Sequence, residues 1–191
     1  MKIGVLALQG AFHEHARMLG DLGAEPVLVK LPHHLEGIEG LVIPGGESTT
    51  IGKLLREYEL MVPIRQMAQD GMPVFGTCAG MIVMAARIQG EPEPHLALMD
   101  VTVNRNSFGR QRESFETDLD IPEIGEKPFR AVFIRAPHIE SVGEGVKTLA
   151  TYEGRIVAVR EGKFIATSFH PELTADDRLH AYFLDIVAGK R

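Results

Sequence analysis

Apolar residues arrive in short blocks along the first half of the chain, separated by stretches with helical spacing. Residues 2–8 (KIGVLAL) form a near-continuous hydrophobic run, as a strand does when both faces of its sheet are covered. Residues 13–22 follow with Ala16, Leu19 and Leu22 on one helical face and Gly23 placed to end the helix. Strands are expected next at 26–31 (PVLVKL) and at Gly40–Ile43 (GLVI), the latter stopped by Pro44, Gly45 and Gly46. A helix over 51–58 would turn Ile51, Leu54, Leu55 and Tyr58 inward, with Ser48 or Thr49 as its cap. A helix at 63–70, a strand at 73–77 and a helix at 79–87 complete this half. Strands alternating with helices at this rhythm imply right-handed crossovers and a mainly parallel sheet.

The pattern then changes. Shorter segments at 101–104, 116–119, 130–134, 155–160 and 164–168 read as strands, several of them hairpin-like, with Glu153-Gly154 and Glu161-Gly162 supplying turns. A last helix at 175–187 carries Asp176 and Asp177 in its first turn and Lys190 and Arg191 beyond its end, in agreement with its dipole. No repeat, low-complexity tract or dividing linker interrupts the chain. The expected fold is a single α/β domain over residues 1–191: an open, mainly parallel, flavodoxin-like sheet flanked by helices, with an antiparallel extension.

Composition narrows the function. With 191 residues, 45% of them hydrophobic and 24% charged, the chain can bury one sizeable core. No apolar stretch approaches the roughly 20 residues of a membrane span. The opening run reads as a buried first strand rather than a secretion signal. A formal charge of -6 speaks against nonspecific nucleic-acid binding. One cysteine excludes an internal disulfide and fits a reducing, cytoplasmic setting.

In open α/β sheets, ligands bind beyond the carboxyl ends of the strands. Four stretches of note fall there: Gln9-Gly10, residues 44–48, residues 77–80 and residues 168–172. Gly76-Thr77-Cys78-Ala79-Gly80 has the glycine–nucleophile–glycine spacing of a nucleophile elbow, where backbone passes too close for a Cβ. Cys78 would lie at a helix N-terminus, whose unpaired N–H groups favour a thiolate, and the Ala79 amide would point at an oxyanion. The alternative is a small buried hydrophobe, the usual fate of a free cysteine.

His170 and Glu172 flank Pro171, so in an extended chain both side chains point to one side. A carboxylate there can hold one imidazole nitrogen and leave the other to take a thiol proton. Taken alone, this stretch could equally be a surface turn. The Gly45-Gly46 turn offers backbone N–H groups, with Gly46 the candidate second oxyanion donor, unless it is an ordinary turn before a helix. Together the three pieces describe a Cys-His-Glu acyl-transfer site.

His13, His15, His33 and His34 lack companions at metal spacing and read as helix-surface and loop residues, so no metal and no cofactor is expected. Arg105, Arg110 and Arg112 form a basic cluster that is either a solvated loop or a carboxylate-binding edge.

GTCAG with SFHPE far downstream resembles the triad (class I) glutamine amidotransferases. Within them, IGVLALQGAFHEH, LVIPGGESTTIGKLL, RNSFGRQRESFE and VFIRAP are similar to the glutaminase subunits of pyridoxal 5'-phosphate synthases. The resemblance implies that Cys78 attacks the side-chain amide of L-glutamine, with His170 and Glu172 managing protons. It further implies that Gly46, Glu47, Ser48, Arg105, Ile134 and Arg135 contact the glutamine. Free ammonia becomes non-nucleophilic ammonium in water, so a separate synthase partner is expected. In the family this partner is a (β/α)8 barrel within a large complex. The surface round Gln9-Gly10 and residues 44–48 would face it, and docking would complete the oxyanion hole. Two rivals share parts of this pattern: a stand-alone γ-glutamyl peptidase, and a redox sensor or chaperone of the wider cysteine-elbow superfamily.

Overall fold

The computed structural model describes residues 1–105, 108 and 113–191. Arg110 and Arg112 of the basic cluster lie outside the described residues. The first half holds β1 (Lys2–Leu6), α1 (Phe12–Asp21), β2 (Glu25–Val29), β3 (Gly40–Ile43), α2 (Ser48–Glu57), α3 (Met61–Gln69), β4 (Val74–Thr77) and α4 (Ala79–Met84). The second half holds β5 (Ala85–Ile88), β6 (Met99–Asn104), β7 (Ser114–Leu119), β8 (Phe129–Ile134), β9 (His138–Val142), β10 (Lys147–Tyr152), β11 (Arg155–Glu161), β12 (Phe164–Thr167) and α5 (Arg178–Val187).

The main sheet runs β2-β1-β3-β4-β12-β11-β9-β6-β5, with β10 paired on β11, and β7 with β8 forms a separate antiparallel ribbon. From β2 to β12 every neighbour is parallel, whereas β11 and β9 pair antiparallel. This is the expected parallel sheet with an antiparallel extension. The parallel strands are buried on both faces because both are covered. Leu41, Ile43, Val74 and Ala166 pack with Ile51, Leu55 and Ile64 from α2 and α3 on one side. Val5, Val42, Phe75 and Ile165 point the other way, towards Leu19 of α1, Phe183 of α5 and Phe133 of the β7–β8 ribbon.

Several local expectations need correction. The helix read at 79–87 stops at Met84, and the chain continues as β5, whose Ala85 and Ile88 are buried beside β6. Strands β9 and β10 fall outside the segments read as strands. In β9 only His138 and Ile139 are buried and in β10 only Leu149 and Ala150, so neither strand shows sustained alternation. Tyr58 does not turn inward: it ends α2 at 45% exposure. The cap of α2 is neither Ser48 nor Thr49 but Glu47, whose carboxylate accepts from the amides of Thr49 and Thr50. The helix begins at Ser48, so Glu47, still extended at φ -108° and ψ 118°, holds the cap position and its carboxylate meets the free amides of the first turn. The last helix begins at Arg178, later than read, because the carboxylate of Asp176 takes the Arg178 amide in a turn of its own.

Register places the site. Thr77 of β4 lies opposite Thr167 of β12, and Gly76 lies opposite Ile43 of β3. The three chain segments that leave these strands therefore emerge side by side at one rim.

Candidate active site

Cys78 occupies the first position beyond β4 and carries φ 53°, a left-handed conformation that only a tightly built turn imposes on a side-chain-bearing residue. Its amide donates to Thr167 O at 2.8 Å, which ties the turn to β12. The flanking glycines are steric requirements, as the spacing suggested. A Cβ on Gly76 would stand 2.5 Å from Met84 Sδ and 2.7 Å from the Gly80 carbonyl, and one on Gly80 would overlap the carbonyl oxygen of Ile43. The turn can form only because both positions lack a side chain. Cys78 is 7% exposed, and its sulfur lies 3.7 Å from the carbonyl oxygen of Ile134 at the end of β8. Ala79 begins α4, so its amide is one of the N-terminal donors without an intrahelical acceptor.

His170 arrives from β12. The turn between them is pinned by Ser168 N to Val157 O at 2.8 Å and His170 N to Val132 O at 2.8 Å. Pro171 keeps His170 out of the helical region, at φ -107° and ψ 86°, as read. The residues after it are not extended, however. Pro171–Leu173 is a short 3-10 turn, which proline's fixed φ suits at its first position. The turn still delivers the expected pair: His170 Nδ1 and Glu172 Oε1 are 2.6 Å apart, and the Glu172 side chain is fully buried. Burial opposes a charge on His170, but the hydrogen bonds to Cys78 and Glu172 and their charges outweigh it and push its pKa up to about 10.

The third segment closes the group. A Cβ added to Gly45 would be 2.8 Å from the His170 ring and 3.3 Å from Cys78 Cβ, so this backbone lies directly against both. Gly46 has φ 135°, and a side chain there would overlap the Gln9 carboxamide. Gln9 Oε1 accepts from Glu47 N at 2.6 Å, which joins the Gln9-Gly10 turn to this loop.

The residues expected to contact glutamine are arranged unevenly. Ser48 is buried at the start of α2. Arg105 donates to Glu91 Oε1 at 2.6 Å and to Glu47 Oε1 at 3.1 Å, which places Glu47 and Arg105 on one edge. Burial raises the Glu47 pKa, but hydrogen bonds from Thr50 and Thr49 outweigh it and hold it at about 2. Ile134 reaches the sulfur through its backbone. Arg135, at φ 46°, is mostly exposed, and its side chain pairs with Glu113 at 3.9 Å rather than with the cysteine cluster.

Two residues escaped the sequence reading. His15 is not on the helix surface: it is fully buried and touches Thr77, Glu172 and His180. Its place four residues before Leu19, on the inward stripe of α1, was the available signal. His180, three residues before the buried Phe183 on α5, is buried too.

A family model described as the SNO glutamine amidotransferase family matches residues 5–188. A pyridoxal 5'-phosphate synthase subunit PdxT from Pelotomaculum thermopropionicum is 60% identical over 185 residues, covering 97% of this chain and 94% of the relative. A protein of the same name from Geobacillus kaustophilus is 61% identical over 187 residues, covering 98% and 95%. Among solved structures, a glutamine amidotransferase superposes with a TM-score of 0.92 at 51% identity, covering 97% of this chain and 98% of the other.

Proposed function

The chain belongs to the SNO glutamine amidotransferase family, and from that premise we propose that Cys78, His170 and Glu172 hydrolyse L-glutamine through a γ-glutamyl thioester. The observation that carries this reading is the 2.6 Å pairing of His170 Nδ1 with Glu172 Oε1 beside an elbow cysteine. It leaves the second ring nitrogen for proton transfer. A redox sensor would have no use for an oriented imidazole.

In the proposed sequence the proton of the Cys78 thiol rests on His170; the sulfur anion attacks the side-chain carbonyl carbon of glutamine, and the electron pair of the C=O bond moves onto oxygen. The amides of Ala79 and Gly46 stabilise that oxyanion. The bond to nitrogen breaks as the protonated His170 ring gives its proton to the leaving group, and ammonia departs. Its pKa near 10 keeps the ring protonated at neutral pH for this step. His170 then takes a proton from water, whose oxygen attacks the thioester. The carbon–sulfur bond breaks to give glutamate and the starting enzyme. Gly46, Glu47, Ser48, Arg105 and the backbone of Ile134 and Arg135 form the proposed glutamine-binding edge, with Arg105 suited to the substrate carboxylate and Glu47 to its ammonium.

The relatives named as pyridoxal 5'-phosphate synthase subunits support a partner for this chain: a synthase barrel that receives the ammonia in a large complex for vitamin B6 synthesis. The surface round Gln9-Gly10 and residues 44–48 is the proposed docking edge, and docking completes the oxyanion hole. Residues 1–191 act as one amidotransferase domain, a reading supported by the continuous main sheet. No helix among the described residues is long and apolar enough to cross a membrane. A cytoplasmic setting is part of this proposal, and the lone unpaired cysteine supports it.

A glutamine-analogue electrophile tests the reading. We expect one adduct, on Cys78, formed faster when the synthase is present. Absence of any adduct on Cys78 in both conditions overturns the triad. Equal glutamine hydrolysis with and without synthase overturns the docking step.

A further inference from the structure

A second set of buried polar groups lies beneath the triad, and the hydrolysis described above makes no use of it. His15 on α1 and His180 on α5 are both fully buried. Their Nδ1 and Nε2 atoms are 2.8 Å apart. On its other side, His15 Nε2 lies 3.2 Å from Thr77 Oγ1 and 3.4 Å from Glu172 Oε2. Glu172 is the residue whose other oxygen holds His170. Side chains from α5, α1 and the 3-10 turn thus connect in one line to the ring beside Cys78.

We propose that His15 is a positioning residue for glutamine hydrolysis, its Nε2–H shared between Thr77 and Glu172 so that the carboxylate is fixed against His170. The proposal rests on the reading of Cys78, His170 and Glu172 as the triad.

The proton arrangement follows from the two ends of the line. Burial holds both His15 and His180 below their ordinary pKa, His180 at about 3, so both rings are neutral and each carries one hydrogen. In one arrangement His180 Nε2–H donates to His15 Nδ1. His15 then turns its Nε2–H towards Thr77 and Glu172, and His180 Nδ1 is left as a bare lone pair. In the other, His15 donates to His180. Its bare Nε2 then opposes the Glu172 carboxylate, and His180 Nδ1 carries a buried hydrogen that no described group accepts. The second arrangement sets lone pair against lone pair and strands a donor. The first turns a donor towards Glu172 and has the Thr77 hydroxyl accept from the same nitrogen; the second lets that hydroxyl donate to the bare Nε2 but keeps both faults.

Glu172 needs such a partner. Its Oε2 is buried and makes no hydrogen bond among the described residues, and His15 Nε2 stands 3.4 Å from it. The donor facing it is His15, and Thr77, which shares that donor, is the residue before the nucleophile. A carboxylate held at both oxygens cannot swing away from the imidazole it orients.

His15→Asn and His15→Gln separate this role from simple packing. The glutamine side chain reaches the Nε2 position with an amide donor; asparagine reaches only the Nδ1 position. Two readouts apply: glutamine hydrolysis with the synthase bound, and the downfield proton resonance of His170 Nδ1–H in the free chain. H15N should lower kcat about 10-fold or more with KM changed less than about twofold, and should shift or broaden the resonance. H15Q should restore most of both. Should H15N fail to fold, His180→Phe, which frees the His15 tautomer, should still lower kcat about threefold. Overturning results are wild-type kcat and resonance in H15N or H180F, or equal losses in H15N and H15Q with the resonance unmoved. Failure of the triad reading looks different: His170→Asn would leave hydrolysis intact, while the resonance in the wild-type chain would still report on the His15 contact.

Discussion

The α-carbon of Gly80 lies against the carbonyl oxygen of Ile43, with no room between them for a Cβ. Helix α4 therefore sits on the end of β3 closely enough to fix where Cys78 points. Gly80→Ala should push the helix off the strand. Overpacking of this kind costs about 1–3 kcal/mol, or more where backbone must move. Equilibrium urea unfolding should show that loss for G80A and a similar one for Gly76→Ala, whose methyl would meet Met84 and the Gly80 backbone. Wild-type midpoints in both variants would contradict the packing described.

Glu172→Gln keeps the shape of the side chain but removes the charge that holds His170. By comparison with triads in which the orienting carboxylate is neutralised, kcat for glutamine hydrolysis should fall about a thousandfold or more. The His170 pKa should drop from about 10 towards its ordinary value, because one hydrogen bond and one charge that raise it are lost. Ring-proton titration by NMR measures that drop, and an unchanged titration would sink the assignment.

Folding stability should fall as pH drops below about 6.5. His15 and His180 are neutral in the fold and take up protons when unfolded, so the unfolded state binds more protons below the ordinary histidine pKa. For His180 the loss continues down to about 3. His170 behaves oppositely: its raised pKa contributes stability that is full below about 6.5 and is lost as pH rises through about 10. Each fully titrating ring contributes a slope of about 1.4 kcal/mol per pH unit. His180→Phe should flatten the acid limb of the curve measured by denaturant unfolding.

Glu47 serves two ends at once, capping α2 and pairing with Arg105. Glu47→Ala should cost about 0.5–2 kcal/mol from the lost cap. It should also raise KM for glutamine through the loosened Arg105. Glu47→Asn should recover part of the stability without the affinity, a split that unfolding and steady-state kinetics together resolve.

Much of this was readable along the chain because it depends on local rules. Continuous apolar runs between helical stretches gave the parallel half of the sheet. Glycines two residues either side of Cys78 marked a turn with no space for side chains, and Pro171 kept His170 out of a helix. Where the reading failed, distant residues decided. Helix α4 gives way to β5 because Ala85 and Ile88 find a partner in β6. His15 looked like one more polar residue on an amphipathic helix. Its burial depends on contacts with Thr77, Glu172 and His180, which lie 62 to 165 positions away. The sequence by itself determined which residues could do acyl-transfer chemistry, since that follows from residue type and near spacing. Only the tertiary structure, through the pairing of β4 with β12, decided that they meet and what lies behind them.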